Sequence, residues 1–492
     1  MKKNSQKISL SRNALLNGLQ SFLNLIFPLI TFPYVSRVLS VNGMGIYNFS
    51  NTYVGYFLLI AGLGINIYAV REGSKYRDNP KKINDFVNQI FSINMLSTIF
   101  AYFLLVVSLF FFRKLNVYTL CISVFSLQII FTTLGVNWLY IIYEDYAYIT
   151  IRNIVFKIIS IVLLFLFVRN KNDYIIYAGI TVIAGVGSNV LNFIHARSFV
   201  NLKLTFKMKL KYHLKPILII FASVIGVNIY LYADNTILGL IKGDYAVGIY
   251  SVSTKIYKIA EDLLSALLTV TIPRLSMLYG KKLYKEYNSL LSQLFNILLV
   301  LSLPAAIGLI ALSREVVIIV AGNKYLPSSN SLAIISLAMI FSLFNWIFSD
   351  CVLLPSKREN KLLITTVITA VFNIIINLVL IPKWSYDAAS FSTVISELIA
   401  MSFNAYYGKD ILRESNIIQS SWKEFIKSIV GCIFIVIICK IITLLIHSII
   451  LSLSISIILS VAFYILIMAL LKSSSIMQFI NIINKRTHGK IF

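Results

Sequence analysis

Four ionisable residues fall within one apolar segment. Lys255, Lys258, Glu261 and Asp262 follow an i, i+3, i+6, i+7 spacing, which on a helix forms one continuous stripe. An ionisable side chain at mid-bilayer costs roughly 2.5–3.5 kcal/mol on insertion scales, so each must pair, snorkel or face water. Two chemistries fit the stripe. Lys258 pairs with Glu261 or Asp262 and closes an interface, or the stripe lines a wet cavity in which Lys255 projects toward an anionic head group. Lys157 lies about 12 Å from the inner end of its segment, with no acid within a helical turn. It either snorkels to the surface or lines the same cavity. Arg37, near an outer segment end, and Arg12, near an inner one, are interfacial anchors or mark the two mouths of the cavity. Arg71 and Arg274 either flank an inner entrance or follow the bias of basic residues toward the cytoplasm.

The acidic side is sparser. Asp234 sits about 9 Å from the outer end of its segment, with no basic residue near it in sequence. Asn373 and Asn377 share one helix face at similar depth, and Thr393 lies at that depth in the next segment. One carboxylate with amide and hydroxyl oxygens at one level suits a Na⁺ or H⁺ site. The same residues also suit interhelical hydrogen bonding. Glu397 is a second candidate proton carrier, and His195 reads as a cytoplasmic-end anchor. Cys121, Cys351, Cys432 and Cys439 all fall in apolar segments without metal-ligand spacing and read as small buried hydrophobes. No Gly-rich phosphate cradle followed by Lys and Ser or Thr occurs, so coupling would draw on an ion gradient, the membrane potential or the substrate gradient. No cofactor is expected beyond that Na⁺ or H⁺.

These residues need a membrane scaffold. Of the 492 residues, 58% are hydrophobic, and the mean hydropathy is +0.83. Apolar runs near 13–38, 44–69, 84–112, 117–143, 149–169, 174–196, 216–240, 248–272, 287–311, 328–354, 361–381, 386–407, 425–446 and 449–471 predict an all-α polytopic membrane protein of about fourteen spans. The first run is too long for a signal-peptide core, so the first helix is expected to be retained. The net charge of +25 does not point to nucleic acid, because the basic residues track segment ends. Loops carrying Arg77, Lys81, Lys207, Lys282, Arg358 and Lys423 outweigh the alternate class (Arg113, Lys171, Lys242, Lys324, Lys383) by roughly three to one, which predicts both termini in the cytoplasm. The outer loops are all short, which argues against a polymerase or ligase needing a sizeable external domain.

A weak internal repeat organises the segments. Gly45-Ile46-Tyr47 and Gly248-Ile249-Tyr250 open the second and eighth runs, Ser50 and Ser253 follow at equal offsets, and so do Arg71 and Arg274. Asn137-Trp138 matches Asn345-Trp346. A unit of six spans is even, so the copies are parallel repeats facing a central cavity. The expected organisation is an N-lobe over 1–200 and a basic cytoplasmic linker over 201–215. A C-lobe over 216–408 follows, then two trailing spans with a cytoplasmic tail over 409–492. In the linker Leu202, Leu204, Phe206 and Met208 alternate with Lys203, Lys207 and Lys209, a pattern suited to an anionic membrane face.

The segment Phe32-Pro33-Tyr34-Val35-Ser36-Arg37-Val38-Leu39, then Gly45-Ile46-Tyr47-Asn48-Phe49, Gly62-Leu63-Gly64 and Ala69-Val70-Arg71-Glu72, resembles Wzx-type polysaccharide flippases of the multidrug/oligosaccharidyl-lipid/polysaccharide exporter superfamily. The resemblance implies two six-helix lobes around a cationic cavity of Lys157, Lys255, Lys258, Arg37, Arg71 and Arg274. It implies alternating access and an undecaprenyl-pyrophosphate-linked oligosaccharide as cargo, moved to the outer leaflet of a bacterial inner membrane for O-antigen or capsule synthesis. Glycosyltransferases and a polysaccharide polymerase are the implied partners, beside membrane lipids. It also implies a Na⁺ site built from spans seven, eleven and twelve, onto which Asp234, Asn373, Asn377 and Thr393 map. Asn377 stands where the related site has an acid, so cation binding would be weaker or replaced by protonation of Asp234. The competing reading is a multidrug exporter of the same superfamily, whose cationic substrates would favour an acidic cavity.

Overall fold

The computed structural model describes residues 10–415 and 417–477. Lys2, Lys3, Lys7, Lys485, Arg486 and Lys490 lie outside the described residues, as does the side chain of Arg12. Every regular element among the described residues is helical. The long stretches are α1 (Leu10–Val38), α2 (Val41–Tyr76), α3 (Pro80–Phe111), α4 (Arg113–Ile142), α5 (Tyr146–Phe167), α6 (Tyr174–Ala196) and α7 (Leu210–Lys242). They continue as α8 (Asp244–Gly280), α9 (Tyr284–Ala311), α10 (Ser328–Leu353), α11 (Glu359–Tyr407), α12 (Ile417–Leu445) and α13 (Ile449–Leu470). Eleven of these stretches are long and apolar enough to cross a bilayer. One of the eleven, α11, is two helices, because the backbone breaks at Ser385 (φ 53, ψ −130), just after Pro382.

Local chemistry sets the ends and breaks. Ser40 caps α2 by accepting from the Gly43 N–H. Asn79 caps α3, with Pro80 in the first turn. Leu63 and Gly64 both adopt left-handed conformations and break α2, and Val136 does the same in α4, immediately before Asn137-Trp138. A π-turn at Ile347–Leu353 follows Asn345-Trp346, and another at Ile183–Gly187 interrupts α6. Large apolar side chains such as Phe103, Phe110, Val270 and Ile458 are exposed, while many serines, threonines and asparagines are buried. That distribution suits a lipid surround, where outward-facing apolar groups cost nothing and polar groups must be satisfied inside.

The chain separates into two compact units, Met1–Gly248 and Ile249–Phe492. In the first, Trp138, Tyr140, Tyr68, Ile83 and Phe86 anchor an apolar core. The repeat assigns α7 to the second half, yet its packing partners include α2. The Tyr56 and Thr236 hydroxyls hydrogen-bond at 3.0 Å, and Tyr232 occupies the space above Gly55. Asp244–Gly248, the first turn of α8, also belongs to this unit. It meets the first turn of α2 backbone to backbone. A Cβ on Gly45 would sit 1.9 Å from the Asp244 carbonyl oxygen, and one on Gly248 would sit 2.2 Å from that of Val41. The two glycines of the repeat therefore serve one reciprocal close approach.

The basic stretch after α6 is docked rather than loose. Asn84, Asn88 and Ser92, spaced one turn apart on α3, accept the N–H groups of Asn201, Lys203 and Thr205 at 2.8–2.9 Å. Every fourth helical residue advances about as far as every second extended one, so the helix face acts as a sheet edge. Leu202 is buried beneath, while Leu204 and Phe206 are exposed. Helix α7 begins at Leu210, inside the expected linker.

In the second unit α9 packs on α12 and α12 on α13. Ser452, Ser456 and Ser460 make a buried small-residue stripe on α13. The Tyr464 hydroxyl donates to the Val300 carbonyl at 2.8 Å, and its ring lies over Gly431.

Candidate transport site

In the first unit the cation deepest in a span takes an amide rather than an acid. Lys157 on α5 is partly buried. Its Nζ donates to Asn24 Oδ1 of α1 and stands 5.7 Å from the Phe27 ring centroid. Arg37 is exposed near the end of α1. Arg71 lies against Glu72 at 3.3 Å and 5.9 Å from the Tyr68 ring.

The second unit treats its cations differently. Lys258 forms ion pairs with Glu261 at 2.8 Å and Asp262 at 3.1 Å. Glu261 also accepts from the Tyr257 hydroxyl at 3.0 Å, and the Lys258 charge is more than compensated within about one turn of α8. Lys255, one turn earlier, is partly buried and makes neither hydrogen bond nor ion pair among the described residues. It feels the charge of Asp262 only across two turns. Arg274 is exposed toward the far end of α8.

The polar positions of α11 converge. Asn377 Nδ2 donates to Asn373 Oδ1 at 3.1 Å, and the Ser392 hydroxyl donates to Asn377 Oδ1 at 2.6 Å. Both asparagines are fully buried, and Asn373 Nδ2 has no hydrogen-bond partner. The neighbouring Thr393 hydroxyl meets that of Tyr250 at 3.4 Å. The break at Ser385 folds the two halves of α11 together and so brings 373 and 377 beside 392 and 393. Beside them runs a hydroxyl relay that sequence reasoning missed, Ser253–Ser331–Ser390, with steps of 2.9 and 2.5 Å. Ser253 was marked only by the repeat. Glu397 accepts from Asn345 Nδ2 at 3.4 Å, and Asn404 donates to Asn345 Oδ1 at 2.7 Å. Asp234 is buried on α7 of the first unit. Among the described residues no three His, Cys, Asp or Glu side chains cluster as a metal site.

At the end of the second unit, Tyr279, Tyr284, Tyr287, Asp410 and Glu414 line a cavity of about 260 Å³. Its acid is committed: Asp410 is gripped by both terminal nitrogens of Arg358. That guanidinium holds the Asp410 carboxyl down at about 2.

An all-helical scaffold with polar residues gathered inside and apolar ones turned outward defines a polytopic membrane protein. The chain belongs to the polysaccharide biosynthesis protein family, whose model matches residues 10–279, and is a Wzx-type member of the multidrug/oligosaccharidyl-lipid/polysaccharide exporter superfamily. A MatE model matches residues 219–379. A putative O-antigen transporter of Escherichia coli K12 is 26% identical over 277 residues, 56% of this chain and 66% of that protein. A putative O-antigen transporter of Shigella dysenteriae is 22% identical over 80% of this chain and 98% of its own length. Among solved structures, the lipid II flippase MurJ in an inward closed conformation superposes with a TM-score of 0.73 at 15% identity, over 93% of this chain and 98% of that one. An inward-facing multidrug resistance MATE family transporter gives 0.60 at 13% identity, over 82% and 99%. These two likenesses show the fold.

Proposed function

We propose that the protein is a flippase that carries undecaprenyl-pyrophosphate-linked oligosaccharide repeat units from the cytoplasmic to the outer leaflet of a bacterial inner membrane by alternating access, for O-antigen or capsule synthesis. The family, the relatives named as O-antigen transporters and the fold support this reading. The single observation that carries it is Lys255, an ammonium partly buried among spans with no ion pair of its own. A buried cation without a counter-charge is costly, and a pyrophosphate cargo supplies one. Lys157, satisfied only by a neutral amide, is its counterpart in the first unit. Arg37, Arg71 and Arg274 flank the path, and Lys258, held by two carboxylates, shapes α8. The proposed crossings number fourteen, with both termini cytoplasmic and with glycosyltransferases and a polymerase as partners. Asp234, Asn373, Asn377 and Thr393 are the proposed Na⁺ or H⁺ coupling site, with Glu397 as a second proton carrier.

The test is reconstitution. Proteoliposomes loaded with a fluorescent polyprenyl-pyrophosphate oligosaccharide should expose the label to an impermeant quencher faster than protein-free liposomes. Unchanged exposure, together with efflux of lipophilic cations, would favour the drug-exporter reading.

A further inference from the structure

The geometry points to a binding site for the phosphate group of an anionic membrane lipid at Arg152, near the Asp145 end of α5. Arg152 is only 6% exposed. Its Nη2 donates to Asn153 Oδ1 at 3.1 Å, whereas Nε and Nη1 have no acceptor. No carboxylate lies within ion-pair distance among the described residues. Among the described residues its further surroundings are aromatic: the guanidinium carbon stands 5.9 Å from the Tyr148 ring. Tyr148 is stacked in turn on His195 at 4.1 Å, whose Nδ1 is buried and unpartnered as well. Asn153 Oδ1 is shared with the Ser188 hydroxyl at 3.4 Å, at the end of the π-turn of α6, so the spare donors cannot turn to it.

Arginine does not shed its proton in proteins, so burial cannot be relieved by neutralisation. A buried guanidinium with two idle nitrogens calls for an anion with several acceptor oxygens, and phosphate is the match. The surroundings indicate where the phosphate comes from. Val155 and Ile159, on the Arg152 side of α5, are exposed apolar residues. So are Val190, Leu191 and Ile194 on the adjoining end of α6. Acyl chains would lie along that surface. Arg152 is about 10 Å from the helix start, within reach of a head group from the leaflet that the charge bias assigns to the cytoplasm. The proposal does not rest on Lys157 or Lys255 and requires no cargo.

The experiment follows thermal unfolding of the purified protein in phosphatidylcholine nanodiscs, with phosphatidylglycerol or inorganic phosphate added. Phosphatidylglycerol should raise the wild-type midpoint by several degrees. R152Q should lose that rise and, in pure phosphatidylcholine, should unfold no earlier than wild type, because an uncompensated charge has been removed. Native mass spectrometry should find one more phosphatidylglycerol retained by wild type than by R152Q. Equal rises in both proteins, or no rise in either, would overturn the site. A rise with inorganic phosphate and none with phosphatidylglycerol would overturn the lipid source.

Discussion

Helices α5 and α8 each carry two cations within membrane spans and resolve them in opposite ways. In α8, Lys258 has acids at i+3 and i+4 and pairs with both. In α5, neither Arg152 nor Lys157 has an acid within a turn, and both take amide oxygens, Asn153 on the same helix and Asn24 from α1. An amide satisfies a hydrogen bond without cancelling a charge, so α5 keeps its positive potential where α8 largely loses it. Lys255 sits in α8 but behaves like α5, because its nearest acid along the helix face is two turns away. The cations left without a counter-charge are therefore Lys157 and Lys255, not the lysine of the most densely charged turn.

The comparison can be broken at several strengths. Lys255→Ala or Lys157→Ala should abolish surface polysaccharide while leaving the protein inserted and abundant, read by glycan staining against a membrane immunoblot. Ile161→Glu, which places an acid one turn from Lys157, should turn α5 into a copy of the α8 arrangement and cut flipping severely in the liposome assay. Lys258→Ala should reduce flipping less than Lys255→Ala. Because that pair is more than half exposed on the lysine side, its loss should cost stability by about 0.2–1 kcal/mol in a denaturation series. The smallest effect belongs to the Arg358–Asp410 pair. The Asp410 carboxyl is depressed to about 2, so its contribution is complete above the ordinary aspartate value near 4. It fades as pH falls from there toward 2. Asp410→Asn should flatten that part of a stability–pH profile and leave neutral-pH flipping unchanged.

Much of this architecture was legible in the residues. Long apolar runs favour membrane-crossing helices, and eleven of the long helical stretches are long and apolar enough to be such. The i, i+3 and i+4 offsets exposed the Lys258 pairs, because partners on one helix are fixed by its pitch. The kinship of Asn373, Asn377 and the Thr393 turn was readable as a common depth. The hydrogen bonds through Ser392 depend on the break at Ser385, which falls in the gap between the runs expected at 361–381 and 386–407. What escaped was contact between elements. Gly45 and Gly248 were visible as a repeat, but nothing in two identical tripeptides says that their helices touch there. The docking of 201–205 on Asn84, Asn88 and Ser92 matches a helical period to an extended one, and a scan for either period alone passes over it. Arg152 lies in sequence near a helix end, where basic residues are common. Its burial appears only once α5 and α6 are packed.

The most direct test replaces the four buried cysteines (Cys121, Cys351, Cys432 and Cys439) and then places a single cysteine at position 157 or 255. Each should react with an impermeant charged thiol reagent in membrane vesicles, and added lipid-linked oligosaccharide should slow that reaction. If neither position reacts from either side of the membrane, no water reaches these cations and the account of a positively charged transport path is wrong.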